Sequence, residues 1–391
     1  MSKVTCPYCF ESFDSANVHF LCRCKKVEDE KYKNFWKPTP VNPQGRSIVP
    51  KRRLLSFGTP KSAVCPDCKK KTYMMLCPKC HNRIPNDMVL NGGKIISIVG
   101  ARSSGKSNYI AVLIEELRRN VNRLGRLGLE YKNVAEQSEL QTENRYKNDF
   151  YNPLYNNSRC VDQTAVGDFR SRIPMIFTLT SSKGESMHLV FYDTAGENFG
   201  QTANIAENVK FLTKSDAILY LVDTENIDAV RKRLSKPKAD TGFDSILSAL
   251  LGHFQEGNEK AKAMFSKPMA VVFSKIDYIT SGDERFQDCS IAGLKTNSPY
   301  LMTDGINLKE FEMNSKSIKS ILDRVWRQPD FINNIDNNWK DADKNVCFFG
   351  VSALGSAPKG TNLTSELNPF RVLDPLVWIL NKLNFPLPLK K

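Results

Sequence analysis

The sequence predicts an α/β fold with a small cysteine-rich module in front of it, and three observations carry that prediction. Short apolar runs bounded by turn residues recur between residues 94 and 354 and alternate with segments of helical spacing, the pattern of strands buried between layers of helices. A glycine-rich loop stands between the first of those runs and the first helical segment. Eight of the eleven cysteines lie within the first eighty residues.

A chain of 391 residues with 41% hydrophobic content can bury one core of roughly 250 residues and still carry a separate module. The expected domains are 1–90, cysteine-rich, and 91–391, the large α/β domain with insertions near 120–163 and 225–266. Residues 1–90 hold 17 Lys/Arg against 7 Asp/Glu, so +10 of the chain's +14 sits there. No run of eighteen apolar residues occurs, and the first thirty residues carry cysteines and charges where a secretion signal has an apolar core. The expectation is a soluble, cytoplasmic protein with no membrane span.

Cys65-Pro-Asp-Cys68 and Cys77-Pro-Lys-Cys80 are two C-x2-C turns, the spacing that presents four thiolates to a tetrahedral structural zinc. Cys6-Pro-Tyr-Cys9 and Cys22-Arg-Cys24 offer a second set, with His19 and His81 as competing donors. Two zinc ions are expected, one per block; the spacing is also compatible with a crossed arrangement in which both blocks contribute to each site. Disulfides are disfavoured in a reducing compartment. Cys160, Cys289 and Cys347 read as ordinary thiols. The connection between the blocks is rich in Pro, Gly and Lys/Arg and reads as extended. Its run Lys51-Arg52-Arg53 could meet nucleic acid or an acidic protein face, although a charge run is usually only a solvated surface.

The apolar run KIISIVG leads into Gly100-Ala101-Arg102-Ser103-Ser104-Gly105-Lys106-Ser107, which fits G-x4-G-K-[ST], and then into a helical segment beginning Asn108. Glycines let backbone amides approach phosphates, the helix N-terminus adds partial positive charge, Lys106 reaches the terminal phosphates and the Ser107 hydroxyl takes a Mg2+ position. A nucleoside triphosphate site is expected. Some ninety residues on, an apolar strand, Met187 to Tyr192, ends in Asp193-Thr194-Ala195-Gly196-Glu197. Asp193 can hold Mg2+ through water, and the Gly196 amide is placed for the terminal phosphate.

In this order the motifs resemble the translation-factor-related class of P-loop GTPases, with a Ras-like and septin-like core. The resemblance rests on GARSSGKS, DTAGE, the strand AILYLVDT (217–224), MAVVFSKID (269–277) and NVCFFGVSAL (345–354), and organises residues 94–385. With its cysteine-rich N-terminus and the tail NPFRVLDPLVWILNKL, the chain is similar to bacterial double-GTPase-type proteins, which occur in predicted prokaryotic conflict or defence gene clusters.

The resemblance implies a three-layer domain on a mixed, mostly parallel six-stranded sheet, preceded by a zinc ribbon. It implies that Asp277 accepts from guanine N1 and N2, that the Lys275 stem packs over the base, and that Ser274 replaces the usual asparagine as a brace to the phosphate loop. Sites built on required hydrogen bonds reject an analogue lacking them by about 10⁴ to 10⁵. Ser352-Ala353-Leu354 stands at the S-A-[KL] loop, with the Ala353 amide facing the guanine oxygen. Glu197 occupies the position of the Ras-like glutamine that orients the attacking water, which implies slow intrinsic turnover. Thr164 is the expected first-switch threonine, on Mg2+ and the terminal phosphate.

Residues 120–163 read either as an extended helix with a mobile loop or as a surface reporting nucleotide state. Residues 225–266 contain FDSILSALLGHFQ, read as a packed helix. The expected function is GTP binding with slow hydrolysis to GDP, catalysed with Lys106, Thr164, Gly196 and Glu197, switching a protein effector or co-encoded partner. Dimerisation through the nucleotide face is a habit of the class. The rival reading is a zinc-ribbon scaffold for nucleic acid or protein whose site binds GTP with little turnover. An ATP-driven motor is disfavoured, because Lys-x-Asp would then be unexplained.

Overall fold

The computed structural model describes residues 3–51, 58–101, 103–162, 172–191, 211–237, 242–244, 246–248, 251–252, 263–289 and 291–390. Thr164, Asp193, Gly196 and Glu197 lie outside the described residues. No helix among those described is long and apolar enough to cross a membrane.

The N-terminal module is built from short strands. β1 (Lys3–Thr5) pairs antiparallel with β2 (Ser12–Asp14). β3 (His19–Cys22) lies between β4 (Arg46–Ile48) and a later strand, Met74–Leu76, while β5 (Ala63–Val64) pairs with β6 (Lys71–Thr72); Met74–Leu76 is β7. Among them sits the helix Glu30–Trp36, capped by the Asp29 carboxylate on the Tyr32 amide at 3.1 Å.

The large domain holds β8 (Ile95–Gly100), β9 (Gly128–Tyr131), β10 (Met175–Thr180), β11 (Ser186–Phe191), β12 (Ala217–Asp223), β13 (Met269–Ser274) and β14 (Val346–Gly350), in the order β14-β13-β12-β8-β11-β10-β9. β11, β8, β12, β13 and β14 are parallel, and β10 is antiparallel to both its neighbours. β8 is buried along its whole length, which is why its sequence is apolar on both faces.

The sheet therefore has seven strands where six were expected. The extra one is β9, inside the first insertion, whose Gly-Leu-Glu-Tyr alternation lays Leu129 and Tyr131 against the core while it pairs with β10 at the sheet edge. A second stretch of that insertion is packed too. A π-helix, Tyr146–Asn156, buries Tyr146, Phe150 and Leu154, and the Tyr146 hydroxyl donates to the Ala111 carbonyl of the helix Lys106–Arg119 at 2.8 Å. The mobile-loop alternative does not describe residues 128–131 or 146–156.

Alternate residues of each strand feed two cores. Leu219, Leu189 and Val272 face the helices Lys106–Arg119 and Asp374–Lys382. Ile218, Tyr220 and Phe273 face Leu308–Arg324 and Pro329–Asn338. A third core joins the N-terminal module to this domain, because Ile95, Ile176 and Val190 are continuous with Val4, Phe20 and Met75. Arg172 seals the junction: it donates to the backbone carbonyls of Phe35, Trp36 and Lys37 and lies 5.2 Å from the Phe35 ring centre. Phe10 meets Phe211 with ring centres 5.0 Å apart.

Candidate functional site: a phosphate cradle, a base-reading edge and two cysteine clusters

The parallel strands end at one edge of the sheet, and the described members of the predicted nucleotide set, from the loop after β8, the loop after β13 and the loop after β14, stand there. β8 ends at Gly100, and residues 101–105 turn the chain into the helix that starts at Lys106. Ser103 (φ +63°) and Gly105 (φ +79°) are left-handed, the backbone form found in phosphate loops, and Gly105, the N-cap residue, brings no side chain to the helix start. A Cβ on Gly100 would stand 2.5 Å from Ser104 Oγ and 3.1 Å from the Leu221 carbonyl oxygen, so a side chain there would crowd the loop. Lys106 is buried, Ser107 half-buried, and Ser104 Oγ is buried without a hydrogen-bond partner among the described residues. A buried hydroxyl with no partner among the described residues, at the glycine-led start of a helix, fits an anion.

The second wall is the loop after β13. Ser274 Oγ donates to the Ser104 carbonyl at 2.8 Å and lies 3.1 Å from the Val222 carbonyl. One hydroxyl thus ties the loop after β13 to the glycine-rich loop after β8. Lys275 is held at φ +59°, and its Cε lies 4.0 Å from a Cβ built on Gly105. Asp277 begins a short helix, Asp277–Thr280, and its Oδ1 accepts from the Ser352 hydroxyl at 2.9 Å. Ser352 in turn accepts the Gly355 amide at 3.0 Å. Ala353 and Leu354 pack partly buried against the core.

Two residues that sequence reasoning missed complete this wall. The Lys275 ammonium sits 2.9 Å from Asp223 and 3.3 Å from Glu225, and Glu225 also meets Lys236 at 2.5 Å. Burial works against the charge of Lys275, but the two carboxylates overcome it and hold its pKa above the ordinary lysine value. Burial raises the Asp223 carboxyl, and the nearby ammonium offsets only part of that rise. The signal was present in AILYLVDTE, an acidic residue closing a buried strand next to the Lys-x-Asp strand. The Asn108 carboxamide oxygen accepts the Val161 amide at 2.8 Å.

The cysteines form a second site, in the crossed arrangement. One cluster is Cys6, Cys9, Cys77 and Cys80; the other is Cys22, Cys24, Cys65 and Cys68. The pairing of one zinc per block is thereby corrected: each block supplies half of each cluster. All three C-x2-C turns have the same form, the first cysteine accepting an amide four residues on and the residue after the second cysteine left-handed, at Phe10, Lys69 and His81. Sulfur–sulfur separations are 3.7 Å for Cys6–Cys80, 3.8 Å for Cys9–Cys77, 3.7 Å for Cys22–Cys68 and 3.6 Å for Cys24–Cys65. A tetrahedron with metal–sulfur bonds of about 2.3 Å has edges of about 3.8 Å, whereas a disulfide needs about 2.0 Å. The clusters could hold zinc. His19 and His81 stand outside them and face one another at 3.1 Å, His81 Nδ1 lying 2.6 Å from Asp29.

Among known proteins, the model of a family described as Double-GTPase 2 matches residues 94–324. SaeC of Mycolicibacterium smegmatis, to which ESX-1 scaffolding and assembly is provisionally ascribed, is 26% identical over 321 residues, 78% of each chain. Structures of the Saccharomyces cerevisiae Ski7 GTPase-like domain, one with GDP and inorganic phosphate and one with GTP, align at 14% and 13% identity with TM-scores of 0.32 and 0.33. Those alignments cover 75% of this chain and 50% of the Ski7 chains.

Proposed function

The chain belongs to the Double-GTPase 2 family, and from that premise we propose that it binds GTP with Mg2+, hydrolyses it slowly to GDP and so switches a protein partner. The observation that carries the reading is the Asp277 carboxylate, fixed by Ser352 at 2.9 Å, on a loop braced to the phosphate cradle by Ser274 at 2.8 Å. A carboxylate in that position pairs with the two adjacent donors of guanine and has no counterpart on adenine.

In this reading the amides of residues 103–107 cradle the phosphates, with Lys106 on the terminal groups and Gly196 donating its amide there. Ser107, Thr164 and Asp193 are the proposed magnesium ligands; Mg2+, when bound, offsets charge on the β- and γ-oxygens. Glu197 would lie beside the hydrolytic water, where it accepts a hydrogen bond but has no amide to donate, which favours slow turnover. Zinc in the two cysteine clusters would fix the shape of the N-terminal module, proposed here as residues 1–90, against the domain 91–391.

Calorimetric titration of the metal-loaded protein with GDP and ADP, followed by single-turnover hydrolysis of GTP, tests the proposal. Binding of GDP at least a hundredfold tighter than ADP is expected; equal affinities would overturn guanine recognition. A second reading, a cytoplasmic scaffold that binds GTP with little turnover, draws support from the likeness to SaeC. No phosphate release under single-turnover conditions, with or without a partner, would favour it.

A further inference from the structure

Residues 352–370 leave the base-reading edge and return to it. Ser352 and Phe370 exchange backbone hydrogen bonds of 3.1 and 2.8 Å, so the segment between them is a closed loop rooted beside Asp277. Gly355 starts it at φ +84°, where a Cβ would stand 2.5 Å from the Asn368 carbonyl oxygen. The far end doubles back between Lys359 and Asn362 and lies antiparallel to residues 158–160. The Cys160 amide donates to the Thr361 carbonyl at 2.8 Å, and the Leu363 amide donates to the Ser158 carbonyl at 2.9 Å.

The next residue is tied down from the opposite side. The Val161 amide goes to the Asn108 carboxamide on the phosphate-loop helix at 2.8 Å. Residues 158–161 are therefore clamped between that helix and the loop from the base-reading edge. Asn108 stands in the first turn of the helix that starts at Lys106, and the loop is rooted at Ser352, whose hydroxyl donates to Asp277. Segment 158–161 therefore spans from the phosphate-loop helix to the loop rooted beside Asp277, and in the proposed nucleotide site the nucleoside would lie between those two walls.

We infer that residues 355–368 are a strap that holds segment 158–161 over the nucleoside end of the site and sets how long a bound guanine nucleotide stays. The inference rests on the reading of this edge as a guanine-nucleotide site. The strap meets segment 158–160 chiefly through backbone bonds, which carry no information about the base, so it governs release and not selectivity. A ligand under a wall that must part before it leaves has its off-rate set by that wall.

The test is the release rate of a fluorescently labelled GDP from the full, metal-loaded chain. Leu363→Pro removes the amide that bonds Ser158, while Leu363→Ala shortens the side chain and keeps that amide. Release about tenfold faster from Leu363→Pro, with the GDP-to-ADP preference unchanged and Leu363→Ala within about twofold of the native rate, is the expected result. Native-rate release from a folded Leu363→Pro variant overturns the strap alone. No binding of labelled GDP by the unsubstituted chain overturns the site reading and the strap with it. Should the proline variant not fold, hydrogen exchange on the native chain decides: GDP must slow exchange at the Cys160 and Leu363 amides, and unchanged rates refute the strap.

Discussion

Replacing Ser274 by alanine isolates a bond that joins the two halves of the candidate site. Ser274 is 5% exposed, and its hydroxyl has a single proton for two carbonyl oxygens, Ser104 at 2.8 Å and Val222 at 3.1 Å. The shorter contact is the stronger, so alanine chiefly leaves the Ser104 carbonyl without this donor. A buried acceptor that loses its partner costs about 1–3 kcal/mol. The Ser104 peptide belongs to the cradle, so we expect about 1.4 kcal/mol of that to appear as a tenfold weaker affinity for GDP. Stability without nucleotide should fall by about 1 kcal/mol. The assay is urea unfolding at several GDP concentrations, since ligand stabilises by RT ln(1 + [L]/Kd) and reports both quantities. Ser274→Cys fills nearly the same volume with a poor donor and should behave like the alanine variant. If Ser274→Ala binds GDP within twofold of the native chain, the brace does not organise the cradle and the reasoning fails.

Asp277→Asn should weaken GDP binding at least a hundredfold and improve xanthosine diphosphate binding, read by competition against labelled GDP; an unchanged preference would mean that Asp277 does not face the base. Zinc content by mass spectrometry should be two per chain, and Cys9→Ser with Cys77→Ser in one chain should lose only one zinc, because both residues serve the same cluster. Loss of both would restore the block-wise pairing. His188 is buried beside Asp87 and Lys132, and burial lowers its pKa from the ordinary 6.5 to about 4. The unfolded chain therefore takes up the proton first as the medium is acidified. This contribution to stability is intact above pH 6.5, falls between 6.5 and 4, and amounts to roughly 3 kcal/mol; denaturant midpoints at pH 7 and 5 for the native chain and His188→Gln measure it, and equal slopes would refute it. Asp374 is fully enclosed by Arg371 at 2.9 Å, Tyr300 at 2.7 Å and Ser298. Asp374→Asn should cost about 1–3 kcal/mol by weakening the buried bonds from Arg371, Tyr300 and Ser298, while Arg371 keeps Glu310 at 2.7 Å; a thermal melt would show it.

The parts legible in the sequence are those whose chemistry is local. The phosphate loop announces itself because two glycines, a lysine and a hydroxyl must sit at fixed offsets between a strand and a helix. Ser274 was readable as a brace because the family's asparagine at that position makes a bond that a hydroxyl can also make. β9 was missed because four alternating residues, Gly-Leu-Glu-Tyr, are too short to stand out within a polar insertion. The sulfur pairing was left open by the spacing, since each C-x2-C turn is complete in itself and only the packing of β3 between β4 and β7 decides which two turns face each other. Asp223 and Glu225 gain their role from a parallel pairing, β12 on β13, that sets Asp223 opposite Ser274.

The crossed clusters also impose an order on synthesis. The inner set joins residues 22 and 24 to 65 and 68, and the outer set joins 6 and 9 to 77 and 80. As the chain leaves the ribosome, the inner set becomes complete first. Once metal closes it, the span that the outer set must bridge is shortened, and its loop-closure entropy falls accordingly. Neither half of the module can hold its metal alone, so a chain interrupted before residue 80 carries at most one loaded cluster. The module would then be finished just as the first strand of the large domain, β8, begins to emerge.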